Sequence, residues 1–486
     1  MKTMTQNKFS PKAFCRFFLL LGICLAVFLS AGCAKENTAG SVLTDSRIAY
    51  IGSAGLYSAE MTGENNQKLV SGNTLSSPLF SGDGTALAYL NGKDLYAYDF
   101  NAKKSALLLT AANSYCAGAD SSFYASSPTE GLRLIENQGA KKTVLLTPLG
   151  VGLRSEQTDP PSTDSSVIKQ GPGPIKSAQV SQLLASDLSE GRNLEYNNLT
   201  PSPDFKHLAF NIYVRNENMA YSGGLWIMDT ATGEFTLAAT GKKSADAEIG
   251  PDPCPGKFSP DGKTLFVWLR PASASLSADG VDYGLYDLAS KKLTSASPAD
   301  KSLSSVALAY DENVSFYDTG SFALLAGGDR MMDSGKSLQM VSYTASSIKE
   351  EGIPTGKLIP AMPNLSKDAK SLYFAAFSGQ GPTSSAQIHP IKRQLYVYSN
   401  GNITSLTNDT TYLCESPHLL NDNAHLLFGR INNKTNEMGL WLINTDGSKA
   451  QQLANWPMPN ESSELYNDYY GRGNWDGLMA FYDATR

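Results

Sequence analysis

Apolar residues along this chain fall in short runs, cut by clusters of Gly, Pro, Asn and Asp, and one arrangement of runs and breaks keeps returning. A loop Asp is followed within a few residues by a compact apolar stretch. Ser77-Pro78-Leu79-Phe80-Ser81-Gly82-Asp83-Gly84 leads into Leu87-Ala88-Tyr89; Ser416-Pro417-His418-Leu419-Leu420-Asn421-Asp422-Asn423 leads into Leu426-Leu427-Phe428, in gapless alignment. Pro203-Asp204 with Leu208-Ala209-Phe210, Pro260-Asp261-Gly262 with Leu265-Phe266-Val267, and Lys367-Asp368 with Leu372-Tyr373-Phe374 are further copies. Weaker ones begin at Asp45, Asp120 and Asp311, the last paired with Val314-Ser315-Phe316. Runs this short between turn formers predict β-strands. Pro supplies a fixed φ and Gly a positive one at the tight turns.

A second strand with its own signature follows each copy: Gly55-Leu56-Tyr57, Asp94-Leu95-Tyr96, Gly131-Leu132-Arg133, Gly224-Leu225-Trp226, Gln394-Leu395-Tyr396 and Gly439-Leu440-Trp441. A third often comes next, as in Leu107-Leu108-Leu109-Thr110 and Ile403-Thr404-Ser405-Leu406-Thr407. With the strand ahead of the Asp, each unit holds four. The loop Asp residues are spaced 38, 37, 84, 57, 50, 57 and 54 apart, and only the 84 stands out. That interval contains a polar stretch, residues 151–192, with Pro160-Pro161 and Gly171-Pro172-Gly173-Pro174. It reads as an inserted, mobile surface loop with a short helix around Ser177–Ser186. Four antiparallel strands per roughly 40–50 residues is the period of a β-propeller blade. The expected fold is therefore an all-β propeller over residues 45–482. Eight blades are counted and seven is the alternative, with 296–358 the least regular part. The first copy lacks a leading strand. Asn474-Trp475-Asp476-Gly477-Leu478-Met479-Ala480-Phe481-Tyr482 is predicted to supply it and close the ring.

The repeat, roughly S-P-D-G-x-x-L-x-F followed by G-L-W/Y and L-T, resembles the propeller of TolB and the related propeller of the dipeptidyl peptidases. The resemblance is strongest at residues 76–110, 199–270 and 360–455. It implies the fold and, through TolB, contact with another protein at a cell envelope. It says little about chemistry, because one fold carries many functions.

The N-terminus has a different pattern. Lys2, Lys8, Lys12 and Arg16 precede the apolar run Phe17–Phe28, which is too short for a membrane span of about 20 residues and suits a signal peptide. The run ends in Leu29-Ser30-Ala31-Gly32-Cys33, which resembles a bacterial lipobox, although Leu lies one position further from the Cys than usual. This reading makes residues 1–32 a signal peptide, Cys33 a lipidated N-terminus and residues 33–44 a polar tether. It places the protein in a bacterial cell envelope, on the extracytoplasmic face of a membrane. The alternative is an ordinary signal peptide cleaved near Ala31 or Gly32, with Cys33 incidental.

Charge narrows the partners. The formal charge is −6, and without residues 1–32 it becomes −10, which disfavours a nucleic-acid backbone. A membrane, reached through lipid on Cys33, and an envelope protein are the expected partners. No cofactor or metal motif is present: the His residues 207, 389, 418 and 425 form no His-Glu-x-x-His. No Gly-x-Ser-x-Gly elbow occurs, and only 31 residues follow position 455, so the hydrolase domain of the dipeptidyl peptidases is not expected. Cys116, Cys254 and Cys414 fall in non-neighbouring blades, too far apart for a disulfide, and are expected as buried free thiols. Trp226, Trp268, Trp441, Trp456 and Trp475 are candidates for a ligand platform, with packing between blades the favoured role. No catalytic residue is singled out. The leading function is a binding or scaffold module. The alternatives are a propeller enzyme acting on a glycan or peptide through channel-facing carboxylates, and a sensor accessory to a membrane partner.

Overall fold

The computed structural model describes residues 45–147, 174–184, 193–215, 220–241, 251–271, 281–296, 311–318, 320–327, 335–379, 393–432, 434–435, 437–457 and 475–483. Within them lie eight four-stranded antiparallel sheets arranged as a β-propeller. Blade 1 consists of β32 (Met479–Tyr482), β1 (Arg47–Gly52), β2 (Gly55–Glu60) and β3 (Gln67–Ser71). The other seven blades follow in chain order and span residues 75–109, 114–146, 193–239, 251–296, 314–353, 358–405 and 412–457. The first strand of each blade lies innermost, where it meets the first strands of its neighbours.

The apolar runs are continuous because both faces of a blade are covered. In β13 (His207–Arg215), Leu208, Phe210, Ile212 and Val214 join the core shared with blade 3, whereas Ala209 joins that shared with blade 5. In β17 (Thr264–Pro271), Leu265, Val267 and Leu269 face blade 4, and Phe266 and Trp268 face blade 6. The alternation follows from the period of two in a strand. Buried clusters linking blades 8-1-2, 2-3, 3-4, 4-5, 5-6 and 6-7-8 form an unbroken circuit.

Antiparallel pairing sorts the connections between two ends of the ring. First-to-second and third-to-fourth turns lie on one end, the turn face. Second-to-third turns and blade-to-blade connections lie on the other, the loop face. The turn face is built from short links, and the repeated Asp shapes them. In blade 4 the buried Ser202 Oγ donates to Asp204 Oδ1 (2.7 Å) and accepts from His207 N (2.9 Å), while Asp204 Oδ1 accepts from Lys206 N (3.1 Å). Ser81–Asp83, Ser259–Asp261 and Ser366–Asp368 repeat this network. Blade 8 has Leu420 in place of Ser, and there Asp422 accepts from Ala424 N and lies 2.6 Å from His425 Nδ1. The residue after each Asp has positive φ: Gly84, Phe205, Gly262, Ala369 and Asn423.

Blade 6 corrects the reading from sequence. Asp311 opens a 3-10 turn, Asp311–Asn313, ahead of the innermost strand β20 (Val314–Asp318), instead of joining two strands. The true turn follows Asp318 and uses Gly320 at φ +90°. Without the Ser-x-Asp pattern, the nearest Asp was one strand out of phase.

The ring closes where the chain ends meet. β32 pairs with β1 through Arg47↔Tyr482, Ile48↔Phe481, Ala49↔Ala480 and Tyr50↔Met479. Trp475–Leu478, predicted as strand, forms a helical turn, α2 in chain order after α1 (Ser177–Leu183). It sets Trp475 into blade 8. The indole Nε1–H donates to Glu415 Oε2 (3.0 Å), and the other oxygen of Glu415 accepts from Arg393 Nη1; all three side chains are buried. The indole lies against Gly429, where a Cβ would stand 2.2 Å from the ring. Asp483 accepts from Asn421 N and from Ser46 Oγ, joining the end of the ring to both neighbours.

Burial pushes the Asp204 carboxyl up, but hydrogen bonds from Ser202 and Lys206 outweigh it and draw it down to about 2. A lowered carboxyl stabilises the fold above the ordinary Asp pKa of about 4 and less as pH falls through the folded value. Stability should therefore decline between about pH 4 and 2, and Asp204→Asn should flatten that decline in a urea-midpoint series against pH. Ala369→Gly should raise stability by about 1 kcal/mol by relieving a left-handed backbone. Trp475→Ala should cost about 3–5 kcal/mol, and Glu415→Gln, which strips Arg393 of its charge partner, a similar amount by chemical denaturation.

Candidate functional site

Cys33 and the tether lie outside the described residues, as does His389. Of the insertion, residues 174–184 are described; most are exposed, and a few pack on the ring. Ile175 bridges to Phe235 in β15 (Glu234–Ala239), Lys176 reaches Glu234 Oε1 at 3.0 Å, and Val180 of α1 and Leu184 just after it are buried against the core of blades 3 and 4. The segment covers part of the exposed edge of blade 4, a strand edge otherwise open to pairing.

Cys116, Cys254 and Cys414 are free and buried, in blades 3, 5 and 8. Burial pushes the Cys254 thiol up to about 12, with Asp252 adding to it, and burial likewise raises Cys116 and Cys414. These are packed thiols, not nucleophiles. His207 and His425 each begin a second strand, while His418, in the innermost strand β28 (Tyr412–Leu419), packs on Phe481 with centroids 3.9 Å apart.

Trp226, Trp268, Trp456 and Trp475 are buried, in keeping with packing between blades. Trp441 differs. It occupies the repeat position of Trp226 but is only half-buried, with Arg430 covering one face of the ring. Arg430 Cζ stands 4.4 Å from the Trp441 ring centroid and 4.4 Å from that of Tyr412, a guanidinium between two aromatic faces. Tyr412 begins β28, Arg430 lies in β29 (His425–Asn432) and Trp441 in β30 (Glu437–Asn444). They meet as diagonal neighbours on three adjacent strands: Arg430 is paired with Gly439, two residues before Trp441, and Tyr412 with Asn432. Gly439 opposite Arg430 leaves the space for the stack.

Arg430 Nη2 also pairs with Asp409 Oδ2 at 3.2 Å. Gln394 fixes that loop, accepting from Asp409 N (3.0 Å) and donating to Asp409 O (2.9 Å) and Tyr412 O (2.8 Å). Arg430 Nε has no hydrogen-bond acceptor among the described residues. The result is a pair of partly exposed aromatic rings around a largely buried guanidinium at the junction of blades 7 and 8, with Tyr412 at the loop-face end. Such stacks contribute about 0.5–2 kcal/mol each. Reading Trp441 as a repeat of Trp226 concealed it; the signal was Arg430, where a strand of this type is otherwise apolar.

Two other polar groupings stand out. Between blades 4 and 5, Tyr213 donates to Asp252 Oδ2 at 2.5 Å, with Cys254 Sγ 3.6 Å from both, and burial raises the Tyr213 phenol strongly. On the turn face, a cleft of about 460 Å³ between blades 1 and 2 is lined by Arg47, Glu60, Asn65, Asn66, Gln67 and Phe100, with Arg47 4.8 Å over the Phe100 ring. Three carboxylates of the inner strands and their flanks have named partners: Asp252 with Tyr213, Glu415 with Arg393 and Trp475, and Asp483 with Ser46 and Asn421. Among the described residues no group of three or more His, Cys, Asp and Glu side chains is gathered for a metal. Nor is any helix among them long and apolar enough to cross a membrane.

No family model matches the chain, and no curated protein does. Solved structures match it in large number. The chain is similar to the dihydro-heme d1 dehydrogenase NirN, at 11% identity and a TM-score of 0.50, over 91% of this chain and 75% of that one. It is also similar to TolB from Acinetobacter baumannii, at 14% identity and a TM-score of 0.31 over 78% and 80% of the two chains. For dipeptidyl peptidase 4 of Porphyromonas gingivalis the identity is 12% and the TM-score 0.37, over 82% and 48%. At such identities the likeness to NirN shows the propeller fold alone.

A thiol titration tests the cysteine assignment. In the folded chain lacking residues 1–33, Cys116, Cys254 and Cys414 should resist a maleimide near neutral pH, and all three should react in denaturant; fast labelling of any one in the native state would contradict it.

Proposed function

We propose that this protein is a lipid-anchored binding propeller of the bacterial envelope, held to a membrane through Cys33 and engaging a partner protein at the junction of blades 7 and 8. The observation that carries this reading is the aromatic pair Tyr412 and Trp441, both partly exposed and held by Arg430, which is clamped between them and tethered by Asp409. Trp, Tyr and Arg are the side chains most enriched where binding energy concentrates in protein interfaces. The stack is already ordered, so a partner meeting it loses little side-chain entropy on docking. The acidic surface charge and the packed thiols fit a binder that does no covalent chemistry at these residues.

Two measurements test the reading. Cys33→Ala should release the protein from the membrane fraction. Arg430→Ala and Trp441→Ala should each reduce recovery of the partner in mild crosslinking and pull-down by at least about tenfold, a loss of about 1.4 kcal/mol or more. Their urea midpoints separate lost contact from lost fold. Unchanged recovery with both variants folded would move the binding surface elsewhere on the ring.

A further inference from the structure

The strand pairing at ring closure fixes where the chain enters the propeller, and hence which end of the ring an N-terminal anchor holds down. β1 begins at Arg47, opposite Tyr482, at the end of blade 1 where the first-to-second turns of the other blades lie. Neighbouring contacts confirm the alignment. Gly84, in the turn of blade 2, lies against Tyr482, and Gly262, in the turn of blade 5, lies against Asp204 in that of blade 4. The chain ahead of Asp45 therefore leaves from the turn face.

We infer that the turn face is apposed to the membrane surface and the loop face is directed away from it; this rests on the reading of Cys33 as the anchor. Eleven residues lie between Cys33 and Asp45, so the twelve steps from one to the other reach about 40 Å when fully extended. With the turn face towards the bilayer, that length is slack. For the loop face to lie against the bilayer, the tether must first cross outward over β2 and β3, about 10 Å at strand spacing. It must then run down the wall of the blade. That wall is about 20 Å for the six residues of β1 and about 33 Å for the ten of β14 (Ala220–Asp229). The detour takes up about three quarters of the reach at blade 1 and all of it at the longest strand, leaving little freedom, so its entropic cost disfavours it.

The two faces differ in the way this orientation requires. The turn face is made of tight links such as Phe80 to Ala86 and Asp229 to Glu234. The loop face carries the long links: Leu146 to Asn193, Pro271 to Asp282, Ser378 to Gln394 and Pro457 to Trp475. The compact end thus faces the bilayer, and the end with the long connections and Tyr412 faces outward. The Arg47 cleft opens on the compact end, beside the point where the chain leaves. No carboxylate among the described residues lies within ion-pair distance of Arg47, so its guanidinium is available to the phosphates of lipid headgroups.

The test uses the lipidated full-length protein in phosphatidylethanolamine–phosphatidylglycerol vesicles that carry a headgroup-attached quencher. Single cysteines at exposed positions take a fluorophore, the native thiols being buried: Asn101→Cys and Lys367→Cys on the turn face, Lys93→Cys and Asn408→Cys on the loop face. Asn101 and Lys93 share blade 2, and Lys367 and Asn408 share blade 7, so each pair differs only in the end of the ring it reports. Fluorophores at Asn101 and Lys367 should be quenched at least about threefold more than those at Lys93 and Asn408. Flotation is measured first. Protein that does not float with the vesicles sinks the anchor reading and the orientation together. Protein that floats with equal or reversed quenching overturns the orientation and leaves the anchor standing.

Discussion

Every blade of this protein is apolar on both sides, and the mutual covering of those sides is the constraint from which the rest follows. A single sheet of this kind would expose Leu208, Phe210 and Ile212 on one side and Ala209 on the other. No single blade can exist alone, and a row of blades would leave an uncovered face at each end. Only a closed ring removes the last two faces. The order of sizes within a strand serves the same end: Ala209 facing blade 5 against Phe210 facing blade 3, and Leu265 facing blade 4 against Phe266 facing blade 6, let wedge-shaped blades pack at native density.

Closure is therefore where the polar groups of the interior are concentrated. Arg393 and Glu415 are a charge pair without access to water, and such a pair stabilises little by itself because desolvation offsets the attraction. Its value here is in specifying one arrangement. Trp475 donates to the second oxygen of Glu415, so this bond forms only when the C-terminal segment has arrived. Gly429 supplies the space for the indole, since any side chain there would meet the ring. The Arg430 stack shares its strands with this lock, Tyr412 with Glu415 in β28 and Arg430 next to Gly429 in β29, at the same junction of blades.

Much of the architecture could be read from the residues, and the physical reasons are local. The Ser-x-Asp turn writes its hydrogen bonds into three adjacent positions, so Ser81, Ser202, Ser259 and Ser366 mark their blades unambiguously. Blade 6 has no such turn, and its phase was misread at Asp311 for that reason. The final strand was legible from its apolar residues, but the helical turn at Trp475–Leu478 was not, because a burial partner, Glu415, holds it in place and not its own propensity. The candidate site was the least legible part. Arg430, Tyr412 and Trp441 are distant in sequence, and their diagonal contact depends on a register that only the folded sheet reveals. The packing of Ile175, Val180 and Leu184 onto blade 4 was hidden in the same way, by the Pro- and Gly-rich chain around it.

The position of β1 has one more consequence, and it concerns force. β1 is flanked on both sides, by β2 and by β32, and the chain enters it at the end facing the turn links. A pull on the segment ahead of Asp45 acts along the axis of β1, so the hydrogen bonds of two ladders are loaded in shear and must fail together instead of one after another. A ring tied down at an outermost strand would instead be peeled open bond by bond. The entry point beside the axis makes the propeller a mechanically stiff body against a pull on the chain ahead of β1.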